Sequence, residues 1–229
     1  MNYHKISAFG ISLVCASIFA SGAQGTFQNL DFEQASIVVL DPSQQLYSAS
    51  SALPHWTAYL GSGPLNYVLY DNLTLGSPAV SIQDSLSPFV RPLEGNYSAV
   101  LQHSGINSTS VGIGQTGGLP QDVVSIVFYV EYYQPLQYYQ PLQVTFAGNL
   151  IPIVQIGTTA NYSIYDGNIA PYAGQTGELL FTDVGIGSAP MKLDDIQLSS
   201  QSIPEPSLFG LLALGSLIFA FVDWKNSSQ

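Results

Sequence analysis

Asp194 is the side chain whose surroundings most constrain its chemistry. In Leu193-Asp194-Asp195-Ile196-Gln197-Leu198 a strand period of two puts it on one face with Ile196 and Leu198, the face expected to enter a core. A carboxylate there must be paired, hydrogen-bonded or metal-bound, and oxygen ligands of this kind suit Ca²⁺. The alternative is a carboxylate that caps a turn or accepts backbone N–H groups. Trp56 offers a second chemistry, because an indole face can stack on a pyranose. Its setting, after Leu53-Pro54 and before Tyr59-Leu60, favours a ring that plugs a core and finds a partner for its N–H.

Catalytic chemistry finds no constellation. His4 lies in the basic start of an N-terminal segment expected to be cleaved, which leaves His55 and His103. There is no G-x-S-x-G elbow and no H-E-x-x-H helix. Paired carboxylates could in principle hydrolyse glycosides, yet no acidic residue is singled out by its context. Cys15 is the single cysteine, so no disulfide or Cys-based site can form within the chain. The chain therefore reads as a protein that is not an enzyme.

The elements that must position these residues have a period of two. Ser36 to Leu40, Tyr67 to Tyr70, Tyr97 to Leu101, Ser110 to Ile113, Val123 to Tyr133, Gln143 to Phe146, Ile151 to Ile156, Tyr162 to Tyr165, Glu178 to Phe181 and Leu193 to Leu198 all read as strands. Gly, Pro, Asn and Asp punctuate them, and no amphipathic helix is evident before Ser207. The fold class is all-β, a β-sandwich and most plausibly a jelly roll. Tyr132 to Gln137 reads YYQPLQ and Tyr138 to Gln143 repeats it. The repeat is expected to lengthen a hairpin, with Pro135 and Pro141 confining it to an edge or a projecting loop.

Both ends carry apolar runs. Met1 to Lys5 is short and basic, Ile6 to Ala20 is apolar, and small residues follow to Gly25, which is the pattern of a cleaved secretory signal peptide over residues 1–25. At the other end Pro204-Glu205-Pro206 precedes an apolar stretch. From Ser207 to Trp224 it gives roughly 27 Å of helix, enough to cross a thin bilayer core. Between them, residues 26–202 form one ectodomain, and residues 203–229 are the terminal signal with a transmembrane helix at 207–224. From Thr26 to Ile203 the cations are Arg91 and Lys192, against thirteen Asp and Glu. Such a surface repels nucleic acid and anionic lipid and suits neutral sugars or divalent cations.

Pro204-Glu205-Pro206 joined to a terminal apolar helix resembles the PEP-CTERM signal of exported Gram-negative proteins. That family usually ends in an Arg-rich cluster, where this chain has Lys225. The resemblance implies an exosortase-type sorting protease as partner, membrane anchoring, and then a place at the cell surface or in the extracellular matrix. The ectodomain has its own resemblance, carried by six motifs in order: Asn29-Leu30-Asp31-Phe32-Glu33, Leu53 to Gly61, Glu94 to Tyr97, Ile113-Gly114-Gln115, Val144 to Gly148 and Leu193 to Leu198. Together they resemble galactose-binding-like jelly rolls, which include many carbohydrate-binding modules. That likeness implies a structural Ca²⁺ held by Glu33 and Asp194, with Asp31 and Asp195 as neighbours. The expected function is a structural or matrix-associated exported protein. The alternative is a carbohydrate-binding module that ties the surface to exopolysaccharide.

Overall fold

Alternating apolar and polar residues force each strand to bury one face, and the chain answers with two sheets. The computed structural model describes residues 26–72, 77–86, 91–103, 109–133, 142–184 and 190–201. The expected signal peptide, Pro204-Glu205-Pro206 and the helix at 207–224 lie outside them. Among the described residues no helix is long and apolar enough to cross a membrane.

The strands are β1 (Val39–Asp41), β2 (Leu46–Ser48), β3 (Thr57–Leu60), β4 (Gly63–Leu65), β5 (Tyr67–Tyr70), β6 (Ala79–Asp84), β7 (Tyr97–Gln102) and β8 (Val111–Gly118). They continue with β9 (Ser125–Tyr132), β10 (Leu142–Phe146), β11 (Asn149–Ile151), β12 (Ile153–Thr158), β13 (Ser163–Asn168), β14 (Thr176–Asp183) and β15 (Pro190–Ser199). One sheet has nine strands in the order β1-β2-β5-β6-β7-β15-β9-β13-β12, and the other has six in the order β11-β10-β14-β8-β3-β4. Only the β5–β6 pair among them is parallel. The all-β expectation holds, with β2, β3, β4, β6 and β11 added to the strands read from periodicity.

The sheets face each other across one apolar core. Ile126, Phe128 and Val130 of β9 meet Leu179 and Phe181 of β14, all 1% exposed or less. The Phe128 and Phe181 rings meet edge-on, 5.2 Å between centroids. Trp56 is buried in the same core beside Phe32 and Phe181, and its Nε1 donates to Asn29 O at 2.9 Å. It is a core residue, as its setting implied. The Gln115 amide holds the backbone of Gln28 at both ends, accepting from its N–H at 2.7 Å and donating to its carbonyl at 2.8 Å. That contact ties Gln28, near the start of the described residues, to β8.

Two expectations are corrected here. Asp194 does not share the core face with Ile196. The register of β15 on β9 slips between Asp194, opposite Tyr129, and Gln197, opposite Val127, and Asp195 takes φ 45° at the slip. An extra residue at such a bulge reverses the alternation. Leu193 and Ile196 therefore both enter the core, and Asp194 turns to the other side with Lys192. The YYQPLQ repeat does not lengthen a hairpin either. β9, which ends within its first copy, belongs to the nine-stranded sheet, whereas β10, which begins at Leu142, belongs to the six-stranded one. The repeat spans the crossing from one sheet to the other; its residues 134–141 lie outside those described.

Candidate functional site

Glu33 and Asp194, the pair expected to hold calcium, converge on one turn. Glu33 Oε1 accepts the backbone N–H groups of Asn96 at 2.6 Å and Tyr97 at 3.0 Å, while Oε2 accepts the Asn96 side-chain amide at 2.9 Å. Asp194 Oδ2 accepts Ser98 Oγ–H at 2.6 Å and the Glu94 N–H at 3.1 Å, and Oδ1 accepts the Asp195 N–H at 2.8 Å. Ser98 Oγ in turn accepts the Leu93 N–H at 2.8 Å. The turn runs through Gly95 at φ 56°, where an added Cβ would strike Glu33 Oε1. Asp194 is 1% exposed, and burial pushes its carboxyl up to about 7 against the downward pull of Ser98 and the backbone donors.

Every contact just described is an N–H or O–H donor aimed at an oxygen. A calcium ion needs six to eight oxygens aimed at itself, and no group of three or more His, Cys, Asp or Glu among the described residues is placed to hold a metal. As arranged, Glu33 and Asp194 fit a hydrogen-bonded clasp on residues 93–98, with Asp194 acting through the backbone-accepting alternative.

A different constellation lies on the outer face of the six-stranded sheet. Two ladder rows cross it: Gln143–Thr182–Gly112–Tyr59 and Thr145–Leu180–Gly114–Thr57, with Glu178 opposite Thr116 beside them. A side chain at Gly114 would meet Glu178 Oε1 at 2.7 Å and Tyr59 Cε2 at 3.1 Å. The Tyr59 ring and the Glu178 carboxylate thus fill the space above the glycine. The Tyr59 hydroxyl donates to Glu178 Oε1 at 2.7 Å, and that bond, first among the causes, holds the phenol above its usual range. Gly112 is needed for a different reason, since its Cβ would lie 2.7 Å from Phe181 O. The result is a half-buried aromatic ring laid over backbone and pinned at its hydroxyl, among threonine hydroxyls and an amide. Sequence reasoning missed Tyr59 and Glu178 as site residues. The available signal was Val111-Gly112-Ile113-Gly114-Gln115, glycines spaced by two on a strand, where a strand normally avoids them.

One acidic pair, Asp71 and Asp84, is taken up in structural hydrogen bonds. Asp84 accepts the Tyr70 hydroxyl and, at 2.7 Å, the Leu86 N–H; its own N–H donates to Asp71 Oδ1 at 3.0 Å. Burial, more than the neighbouring Asp84, raises the Asp71 carboxyl.

No protein-family model and no curated protein matches the sequence. Solved structures with similar folds include TmCBM61 in complex with beta-1,4-galactotriose, at TM-score 0.43 and 16% identity over 77% of this chain and 99% of that one. A family 11 carbohydrate-binding module from Clostridium thermocellum, in complex with a beta-1,3-1,4-mixed-linked tetrasaccharide, gives TM-score 0.37 and 11% identity over 67% and 94%. The enzymatically active domain of tailspike protein 4 from bacteriophage CBA120 gives 0.35 and 14% over 64% and 20%. At these TM-scores the neighbours leave the ligand of this chain to be argued from its own side chains.

Proposed function

We propose that this chain is a non-catalytic carbohydrate-binding protein of the galactose-binding-like jelly-roll kind, which takes a glycan on the outer face of its six-stranded sheet. The observation that carries this reading is the Tyr59 ring laid over Gly114 with its hydroxyl fixed on Glu178. A pyranose offers an apolar C–H face and a rim of hydroxyls. A pinned tyrosine ring supplies the apolar surface at little conformational cost, and Glu178, Gln143 and the threonines supply acceptors and donors around it. Glu178 is the one charged residue of those rows, so hydroxyl recognition suits this face better than recognition of acidic groups.

The terminal segments support a setting for that binding. The basic-then-apolar start and the Pro204-Glu205-Pro206 tail favour an exported chain, anchored through its C-terminal helix and sorted by an exosortase-type protease to the envelope or matrix. There it would tie the surface to extracellular polysaccharide. A panel of neutral oligosaccharides tests the reading: wild-type protein binds at least one member and Tyr59→Ala loses it while keeping its melting temperature. Equal binding by Tyr59→Ala would refute this assignment.

A further inference from the structure

The opposite side of the molecule, the outer face of the nine-stranded sheet, carries a second aromatic assembly with a different polar complement. Tyr129 projects from β9 on the side away from Phe128 and Val130, and its ring stacks on Tyr162, centroids 4.4 Å apart and planes 13° from parallel. The Tyr162 hydroxyl donates to Glu94 Oε1 at 2.6 Å. Asp195 sits at the β15 bulge, next to Asp194, which pairs with Tyr129 in the ladder, and its Oδ2 accepts the Gln197 amide at 2.6 Å; burial first, then Asp195, holds the Tyr129 phenol above its usual range. Glu94 and Gln197 are exposed, and Tyr129, Tyr162 and Asp195 are half-buried. Both carboxylates stand on backbone held by Asp194, which accepts the N–H of Glu94 and of Asp195. The two charges are therefore fixed relative to the rings.

No ion pair among the described residues reaches either carboxylate. Among the described residues the positive side chains are Arg91 and Lys192, and Lys192 is buried against Glu131 with its Nζ donating to Arg91 O at 2.7 Å. From this charge complementarity we infer that the Tyr129–Tyr162 face binds an amine-bearing glycan, a chain of amino sugars with free ammonium groups. Aromatic rings attract an ammonium over their faces and pack on pyranose C–H groups, and two fixed carboxylates accept its N–H donors. A polylysine chain offers the charge without the pyranose. This site is separate from the Tyr59 face, lies on the other sheet and stands or falls independently of it.

The experiment titrates the full-length protein with a glucosamine hexamer, an N-acetylglucosamine hexamer and a lysine hexamer, at low and at high salt. The glucosamine hexamer is expected to bind best, and to weaken as salt screens the carboxylates. Glu94→Gln with Asp195→Asn keeps both shapes, and Asn tolerates the positive φ at 195. This double variant should weaken glucosamine binding by about tenfold or more. Asp41→Asn with Asp122→Asn removes the same charge elsewhere, Asp41 standing on the edge strand β1, and should leave binding unchanged, as should Tyr59→Ala. Melting curves confirm that each variant is folded. Equal binding of the acetylated hexamer, equal binding of the lysine hexamer, or equal loss in both double variants would overturn the assignment.

Discussion

A single carboxyl, Asp194, is the residue whose titration the structure constrains most. Its folded value is raised to about 7 from 3.8, burial outweighing its three hydrogen bonds. Between those two values the folded chain holds a proton that the unfolded chain has released, so stability falls as pH rises through that window. The contribution is complete below about pH 4 and gone above about pH 7. Melting temperature is therefore expected to drop between about pH 4 and pH 7, and Asp194→Asn, which cannot titrate, should flatten the slope. A slope equal in both proteins would remove Asp194 as its source. The mutual repulsion of a chain with formal net charge −11 acts in the same direction, which is why the comparison of slopes is needed.

At the scale of elements, turns and strands hold the side chains that matter. The Glu33–Asp194 clasp holds residues 93–98 through hydrogen bonds, so EDTA is expected to leave the melting curve unchanged; a fall reversed by added Ca²⁺ would return the cation to this site. On β8, Gly114→Val is expected to keep the strand, where valine is favoured, and to displace the Tyr59 ring and Glu178 that fill its Cβ space. Glycan binding should then fall by about tenfold or more, at least 1.4 kcal/mol, with little change in thermal stability. Binding that survives the valine would detach function from this platform.

For the whole molecule, periodicity made the all-β sandwich readable, because Phe128, Val130, Leu179 and Phe181 alternate cleanly with outward residues. β6 escaped it since Ser81 and Gln83 face outward yet are buried. No local signal in Ala79 to Asp84 announces that burial. The face of Asp194 was misread for a related reason: one bulge residue reverses a strand's alternation and leaves no mark in the sequence beyond Asp194-Asp195. Trp56 was legible because a lone tryptophan among Leu53, Pro54 and Leu60 has few other uses. Tyr59 was not, since its role depends on a glycine 55 residues away in the chain. Sorting belongs to this scale too. Deleting residues 207–229 is expected to release the protein from the membrane fraction into the soluble exported pool, and unchanged fractionation would show that the tail does no sorting.

The most direct test of glycan binding on the six-stranded face is an amide-resolved NMR titration of the protein with the best-binding neutral oligosaccharide. The signals of Gly112, Gly114, Thr116 and Thr182 are expected to move together along one saturable curve, while those of Val127 and Ile164 on the opposite face stay in place. Saturable binding that leaves Gly112 and Gly114 unmoved would contradict the assignment.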